Sequence, residues 1–397
     1  MRTLAMNIVA SKRVQSIGAY AFAAVDEKVA ELKAKGITPI DFGVGDYAQP
    51  TPEIVREACK SAIDERAAYG YPAYVGDASY RSVVAEWTKK RFGVDLNPDT
   101  EVCSTIGSKE AVFNFHEGFV DPGDVVLVPS PGYPPYKRGT LFSEGEAVFF
   151  RMDPENNFAP DLSGISSDAA KRAKVMWINY PNSPTGAVLT REQMQTVVNF
   201  CHDNEIILAA DEAYTELYYG DEPPLSILEI TKEAVVSSFS LSKRSIMTGW
   251  RVGWMAGDER IISIFKKLKT NIDSGVPTFI QDAASAALKD ETHVDDLRVE
   301  TKKKRDILCA ALKGAGLTDC TPQATLYVWQ KTPDGISGID FATKLVEEAH
   351  IVTTPGEWIS DELADGSNPG AGYVRFALVP TIEECEKAAT RIRELKL

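Results

Sequence analysis

The sequence predicts an α/β protein: a large unit built on a mostly parallel central sheet, followed by a smaller α+β unit. Three observations predict it. Between about residues 100 and 257, short continuous Val/Ile/Leu runs alternate with segments of helical periodicity, the pattern of a parallel sheet covered on both faces. Most of those runs end in Gly, Ser, Asn, Asp, Tyr or Lys, and open α/β sheets bind their ligands at such strand ends. From about residue 279 the pattern changes to long charged helices and then short strands. The expected boundaries are an N-terminal arm with part of the smaller unit over 1–45, the large unit over 46–275, and the small C-terminal unit over 276–397.

Taken in order, residues 20–36 carry Phe22, Val25, Val29 and Leu32 at helical spacing and stop at Gly36. Residues 37–42 form a short extended segment, and Pro39 within it marks an edge strand. The glycines of Gly43-Val44-Gly45-Asp46 let the backbone bend and expose N–H groups. After a helix over 52–66 comes Tyr69-Gly70-Tyr71-Pro72-Ala73-Tyr74-Val75-Gly76. Tyrosines crowded into a loop suggest binding or a subunit contact, with an anchored loop as the alternative. A helix over 79–92 precedes a strand over 102–106, then Gly107-Ser108-Lys109 and a helix to Phe119. Strand, glycine, hydroxyl and helix start form an anion cradle, because free N–H groups and the helix dipole face one point; many plain helices also begin with serine.

A strand over 125–128 leads to Ser130-Pro131-Gly132-Tyr133, an aromatic able to stack on a flat ring. Phe149 and Phe150 mark another strand. The strand over 174–178 ends in Asn179-Tyr180-Pro181-Asn182-Ser183-Pro184-Thr185-Gly186, a helix spans 191–203, and the strand over 206–210 ends in Asp211-Glu212-Ala213-Tyr214. The apolar run 234–239 then delivers Ser240-Leu241-Ser242-Lys243, with Arg251 eight residues after the lysine. A lysine desolvated at a strand end can form a Schiff base with an aldehyde; alone, Lys243 reads more readily as a solvated loop residue that happens to follow a strand. A helix around 261–268, helices over 279–316, 339–349 and 381–396, and strands over 325–329 and 373–378 complete the chain.

Totals exclude several classes. The formal net charge of −14 argues against nucleic acid or an anionic membrane as partner. The six cysteines form no CxxC pair and the four histidines no metal-ligand spacing, so neither a metal site nor a disulfide framework is expected, and a reducing cytoplasm fits. No apolar run reaches membrane-spanning length.

Together, the strand ends supply an anion cradle, a stacking aromatic, amide and hydroxyl donors, a carboxylate, a lysine and an arginine. A flat phosphorylated pyridine aldehyde needs this set: the carboxylate for the ring nitrogen, donors for the phenolic oxygen, and the lysine for the imine and the proton. The chain resembles the fold-type I pyridoxal-phosphate aminotransferases of class I/II, from about Tyr20 to Leu397. The spacing of Ser240, Lys243 and Arg251, with Asp211-x-x-Tyr214, carries the resemblance. It implies a three-layer fold with pyridoxal 5'-phosphate as cofactor and Lys243 as the Schiff-base lysine. Asp211 would pair with the ring nitrogen and Tyr214 with the ring hydroxyl. Ser240, Arg251 and the backbone at Ser108 and Lys109 would hold the phosphate, and Tyr133 would stack on the ring. In a homodimer with shared sites, Tyr71 would reach the partner's phosphate. Arg375 would clamp the substrate α-carboxylate, with Gly45 as a backbone donor to it. The family has asparagine directly before Pro-Thr-Gly; here Ser183 stands there, and Asn182 is expected to reach the ring oxygen.

For the substrate, Ser240-Leu241-Ser242-Lys243-Arg244-Ser245 and Asn368-Pro369-Gly370-Ala371-Gly372-Tyr373-Val374-Arg375 look like aminotransferases acting on N-succinyl-diaminopimelate. Met247-Thr248-Gly249-Trp250-Arg251, Asn179-Tyr180-Pro181-Asn182 and Asn271-Ile272-Asp273-Ser274-Gly275 look more like those acting on free LL-diaminopimelate. Both kinds exchange the amino group with 2-oxoglutarate or glutamate. Tyr20, Tyr74 and the 274–278 loop of a partner are candidates for the distal end of a long substrate, or packing residues. A broader aspartate, alanine or aromatic aminotransferase, a carbon–sulfur lyase, and a ligand sensor remain as alternatives; the last is disfavoured by the short segment before Tyr20.

Overall fold

The computed structural model describes residues 8–17, 23–68 and 70–395. Its strands are β1 (Ile40–Asp41), β2 (Val102–Thr105), β3 (Val125–Ser130), β4 (Glu146–Asp153), β5 (Ala159–Pro160), β6 (Ala173–Asn179), β7 (Ile207–Asp211), β8 (Val235–Ser240), β9 (Gly253–Gly257), β10 (Tyr327–Lys331), β11 (Ile351–Val352), β12 (Thr354–Pro355) and β13 (Tyr373–Ala377).

Eight of them form one sheet in the order β2-β9-β8-β7-β6-β3-β4-β5. The pairs β4/β3, β3/β6, β6/β7 and β7/β8 are parallel, and β9 runs antiparallel to both β8 and β2. Side chains alternate across a strand, and the continuous apolar runs serve two cores. On β6, Met176 and Ile178 face a core shared with Val55, Val84, Trp87 and Val198. Val175 and Trp177 face the other core, with Val112, Phe115, Ile262 and Phe265. Helices thus cover both faces, a three-layer arrangement as expected.

The reversed strand β9 was not singled out in the sequence, because glycines at both its ends weaken the strand pattern. Its glycines serve close approach: a Cβ at Gly257 would collide with the carbonyl of Val235. Running backward, β9 returns the chain from the edge where β2, β7 and β8 end; Gly253 pairs with both Thr105 and Ser240. Arg251, just before it, is therefore delivered to that same edge.

The smaller unit joins chain ends. β10-β13-β12 form one antiparallel sheet, while β1 and β11 pair in parallel. Ile40 and Phe42 pack with Leu308, Val328, Phe341, Phe376 and Ile392 in one core. β1 is a short edge strand, as Pro39 suggested. β10 begins at Tyr327 rather than Thr325 because Thr325 takes a left-handed conformation (φ 69°) and donates its N–H to Leu217 O at 2.6 Å. The expected boundary at 275/276 falls too early. Helix Thr278–Lys289 buries Ala283, Ala284 and Ala287 in the large unit's core with Val276, and the chain passes to the smaller unit only through the junction before helix Thr292–Gly314. Among the described residues, no helix is long and apolar enough to cross a membrane, no cluster of His, Cys, Asp and Glu could hold a metal, and all six cysteines are free thiols.

Candidate active site

A cavity of about 560 Å³ opens at the strand-end edge of the large sheet, closed on its far side by the smaller unit. Lys243 lies on a short helix, Leu241–Arg244, that starts where β8 stops; Ser240 caps it, its Oγ accepting from Ser242 N at 3.1 Å. This one turn turns Lys243 into the cavity, half-buried, with Nζ donating to the carbonyl of Gly45. Gly45 must be glycine, since a Cβ there would meet the phenol of Tyr327. Its carbonyl, not its N–H, is the group engaged here, which leaves the N–H expected for a carboxylate uncommitted to Lys243.

Asp211 ends β7 and is buried. Burial pushes its carboxyl up to about 6, against hydrogen bonds from Tyr136 Oη to Oδ2 (3.0 Å) and from Ala213 N to Oδ1 (3.3 Å). Among the described residues no cation pairs with this carboxylate, and a protonated ring nitrogen would supply one. Tyr214 follows on the same turn, its Oη 3.3 Å from Tyr327 Oη. Burial and the neighbouring Tyr327 hold the Tyr214 phenol well above its usual range. Burial acts the same way on Tyr327, but the Arg375 and Lys243 cations outweigh it and hold that phenol below its usual value.

At one end, Ser108 begins the helix Ser108–Phe119 and lines the cavity with Lys109, Ser240 and Arg251. Gly107 (φ 72°) has no space for a Cβ because the Arg251 guanidinium lies against it. Arg251 is aimed there by hydrogen bonds to Thr248 O (2.8 Å) and Ile106 O (3.4 Å). Helix start, hydroxyls and guanidinium converge as an anion site. Tyr133 caps the helix Pro134–Phe142 and presents its ring to the cavity between this end and Asp211. At the other end is Arg375, central in β13, its guanidinium 4.4 Å from the centre of the Tyr327 ring and bonded to Gly43 O at 3.0 Å.

The structure thus gathers Gly45, Ser108, Lys109, Tyr133, Asp211, Tyr214, Ser240, Lys243, Arg251 and Arg375 around one space. Asn182 is not among them, and this corrects the expectation. It is buried, with Oδ1 accepting from Thr185 N and Oγ1 and Nδ2 donating to Asn179 O, so its side chain is consumed in folding the turn. Ser183 and Asn179 line the cavity instead. Asn179 donates to Asp211 O at 2.6 Å and accepts from Ser183 N at 2.7 Å, fixing both neighbours. Tyr71 (84% exposed) and Tyr74 (41%) stand outside the cavity of a single chain, and Tyr20 lies outside the described residues. Tyr327 was missed; an aromatic in an alternating strand carries no signal that separates a site residue from core.

Residues 37–392 match the family of class I and II aminotransferases. The chain is 41% identical to the LL-diaminopimelate aminotransferase of Aquifex aeolicus, covering 98% of this chain and 99% of that one. It is 42% identical to that of Syntrophobacter fumaroxidans, covering 98% and 100%. Among solved structures, substrate-bound BacF from Bacillus subtilis superposes with a TM-score of 0.89 at 31% identity, with 98% of each chain covered. The chain belongs to the class I and II aminotransferases. It is an aminotransferase, and its cofactor is pyridoxal 5'-phosphate. The site fits that cofactor on its own terms: an anion cradle, a ring-sized wall, a buried carboxylate lacking a cation, and an amine lie in one cavity. At the cavity's far end, Arg375 has no ion-pair partner among the described residues.

Proposed function

We propose that this aminotransferase acts on LL-diaminopimelate, moving one of its amino groups to 2-oxoglutarate in lysine biosynthesis. Two relatives about 40% identical over nearly their full lengths carry that activity in their names, which supports the substrate assignment. The observation that carries the chemistry is Lys243 Nζ inside a cavity bounded by Asp211 and Arg375.

In this reading Ser108, Lys109, Ser240 and Arg251 hold the cofactor's phosphate, Tyr133 covers the ring, and Asp211 keeps the ring nitrogen protonated. Tyr214 and Ser183, which line the cavity, would serve as donors to the ring oxygen. When bound, pyridoxal 5'-phosphate serves as the electron sink for the carbanion at the substrate's α-carbon. Arg375 binds the α-carboxylate and so fixes which bond faces Lys243. Lys243, as a free amine, would take the proton from that α-carbon and hold it at Nζ for return. Arg375 suits the α-carboxylate of both the donor and the 2-oxo acid, so one clamp serves both halves of the cycle.

The working unit in this reading is a two-fold homodimer in the cytoplasm. Exposed Tyr71 supports it, as does a second, largely apolar cavity of about 660 Å³ that includes Ile106, Trp250, Phe279 and Ile280 and borders Arg251. In the dimer, Tyr71 of one copy serves the phosphate end of the other, and Tyr74 stands near the distal end of the substrate. The six free thiols agree with a reducing compartment.

The test is a panel of amino donors with 2-oxoglutarate: free LL-diaminopimelate, its N-succinyl form, aspartate, alanine and phenylalanine. Free LL-diaminopimelate should give the highest kcat/KM, by about tenfold or more, because a distal zwitterion needs matched polar partners. Preferred turnover of aspartate or of the N-succinyl form would overturn the substrate assignment.

A further inference from the structure

Behind the phosphate end lies an ionic cluster with no part in the chemistry above. Lys269 is fully buried, and its Nζ pairs with Asp273 at 2.7 Å and Glu110 at 3.3 Å. Glu110 Oε2 accepts the N–H of Ile106 at 2.9 Å, the residue that leads into Gly107 and whose carbonyl accepts from Arg251. Asp273 Oδ1 accepts the N–H of Gly275 at 2.6 Å. Gly275 (φ 85°) lies so close to the backbone of Ala73 and Tyr74 that a Cβ would press on both. One ammonium therefore ties the start of the anion cradle to the 273–275 loop and, through Gly275, to the tyrosine loop.

The charge balance gives this tie a consequence. Two carboxylates are placed behind a cradle whose ligand is an anion, and a single buried cation opposes them. Charges in a poorly screened interior interact over several ångströms. Burying them is costly unless they are paired, and here Lys269 pairs with both carboxylates.

We propose that Lys269 is a positioning residue for the phosphate end of the cofactor site, holding the cradle in register and offsetting part of the negative charge of Glu110 and Asp273 beneath it. Glu110 shapes the cradle by holding Ile106 N, and Lys269 makes that carboxylate compatible with an anion on the other side. This rests on reading residues 107–109 and Arg251 as the phosphate site, and the experiment separates the two.

Pyridoxal 5'-phosphate and pyridoxal, which lacks the phosphate, are each titrated into the full-length chain stripped of cofactor, with absorbance reporting the bound form. Arg251→Leu should weaken the phosphorylated ligand relative to pyridoxal by about tenfold or more; loss of that selectivity overturns the cradle itself. Lys269→Met should weaken the phosphorylated ligand selectively by about fivefold. Glu110→Gln keeps an acceptor for Ile106 N and removes a negative charge, so it should shift the ratio the other way by about threefold. If Arg251→Leu is selective while Lys269→Met weakens both ligands equally, or Glu110→Gln leaves or lowers the ratio, the proposal for Lys269 is wrong. Should Lys269→Met fail to fold, the sign of the Glu110→Gln shift decides alone.

Discussion

On the sheet side of the cavity, Asn179, Ser240 and Asp211 are held by hydrogen bonds to neighbouring residues before any ligand arrives. Asn179 bridges Asp211 and Ser183, Ser240 caps the turn that carries Lys243, and Tyr136 holds one oxygen of Asp211. On the opposite side, the Nε of Arg375 is buried without a hydrogen-bond partner among the described residues, although its Nη2 reaches Gly43 O. A buried donor without an acceptor costs free energy until something supplies one. Under the proposed function, the first wall would hold a group that stays and the second would meet carboxylates that come and go.

That contrast is broken most severely at Lys243, the one group on the sheet side that must act as well as hold. Lys243→Ala should lower kcat by about four orders of magnitude or more, since it removes both nucleophile and base. The fold should survive, because Nζ contributes a single hydrogen bond, to Gly45 O; circular dichroism checks that, and a steady-state assay checks the rate. A rate within tenfold of the parent would contradict the assignment.

The second wall predicts a smaller effect of another kind. Arg375→Leu should raise KM for the amino acid and the 2-oxo acid alike, by about a hundredfold, the loss expected for a bidentate charged contact. Cofactor affinity should stay within about threefold, because Arg375 lines the end of the cavity away from the cradle. Equal losses of cofactor and substrate would mean that the two walls do not divide the work.

The same division governs what could be read from sequence. Groups on the sheet side sit directly after apolar runs, so Ser108, Asp211, Tyr214, Ser240 and Lys243 stand out as polar punctuation of a parallel sheet. The layers followed from those same runs, because alternate residues on β6 and β7 feed the two cores. Arg375 was found only through its likeness to a family, since one cation within a short strand reads equally as edge solvation. Tyr327 carried no mark at all. Asn182 was misjudged because spacing alone does not say which of two neighbouring side chains a turn consumes; Thr185 claims its Oδ1 twice. The boundary at 275 failed for a related reason: Thr278–Lys289 has an apolar face but gives no clue to which core receives it.

The smallest effect lies in the fixed wall's own electrostatics. Asp211 rises from 3.8 to about 6 through burial in the cofactor-free chain, so the folded state holds a proton there that the unfolded state has already released. Wherever the folded state binds more protons, stability falls as pH rises. Asp211 should therefore cost the cofactor-free chain stability progressively between about pH 4 and pH 6, with the cost complete above that window. Its neighbour Glu212 points away from the cavity, accepting from Ser226 Oγ and Ile227 N, and burial pushes it from 4.5 to about 7. It adds a second loss of the same sign, shifted upward and untouched by changes in the cavity. Asp211→Asn should flatten the lower part of the Tm-against-pH curve and leave the part contributed by Glu212. Saturating pyridoxal 5'-phosphate should flatten it in the parent chain too, because a protonated ring nitrogen beside Asp211 favours the charged carboxylate. A parent curve that keeps its slope when the cofactor is bound would mean that nothing cationic reaches Asp211, and the sheet-side wall would then be shaped for some other group.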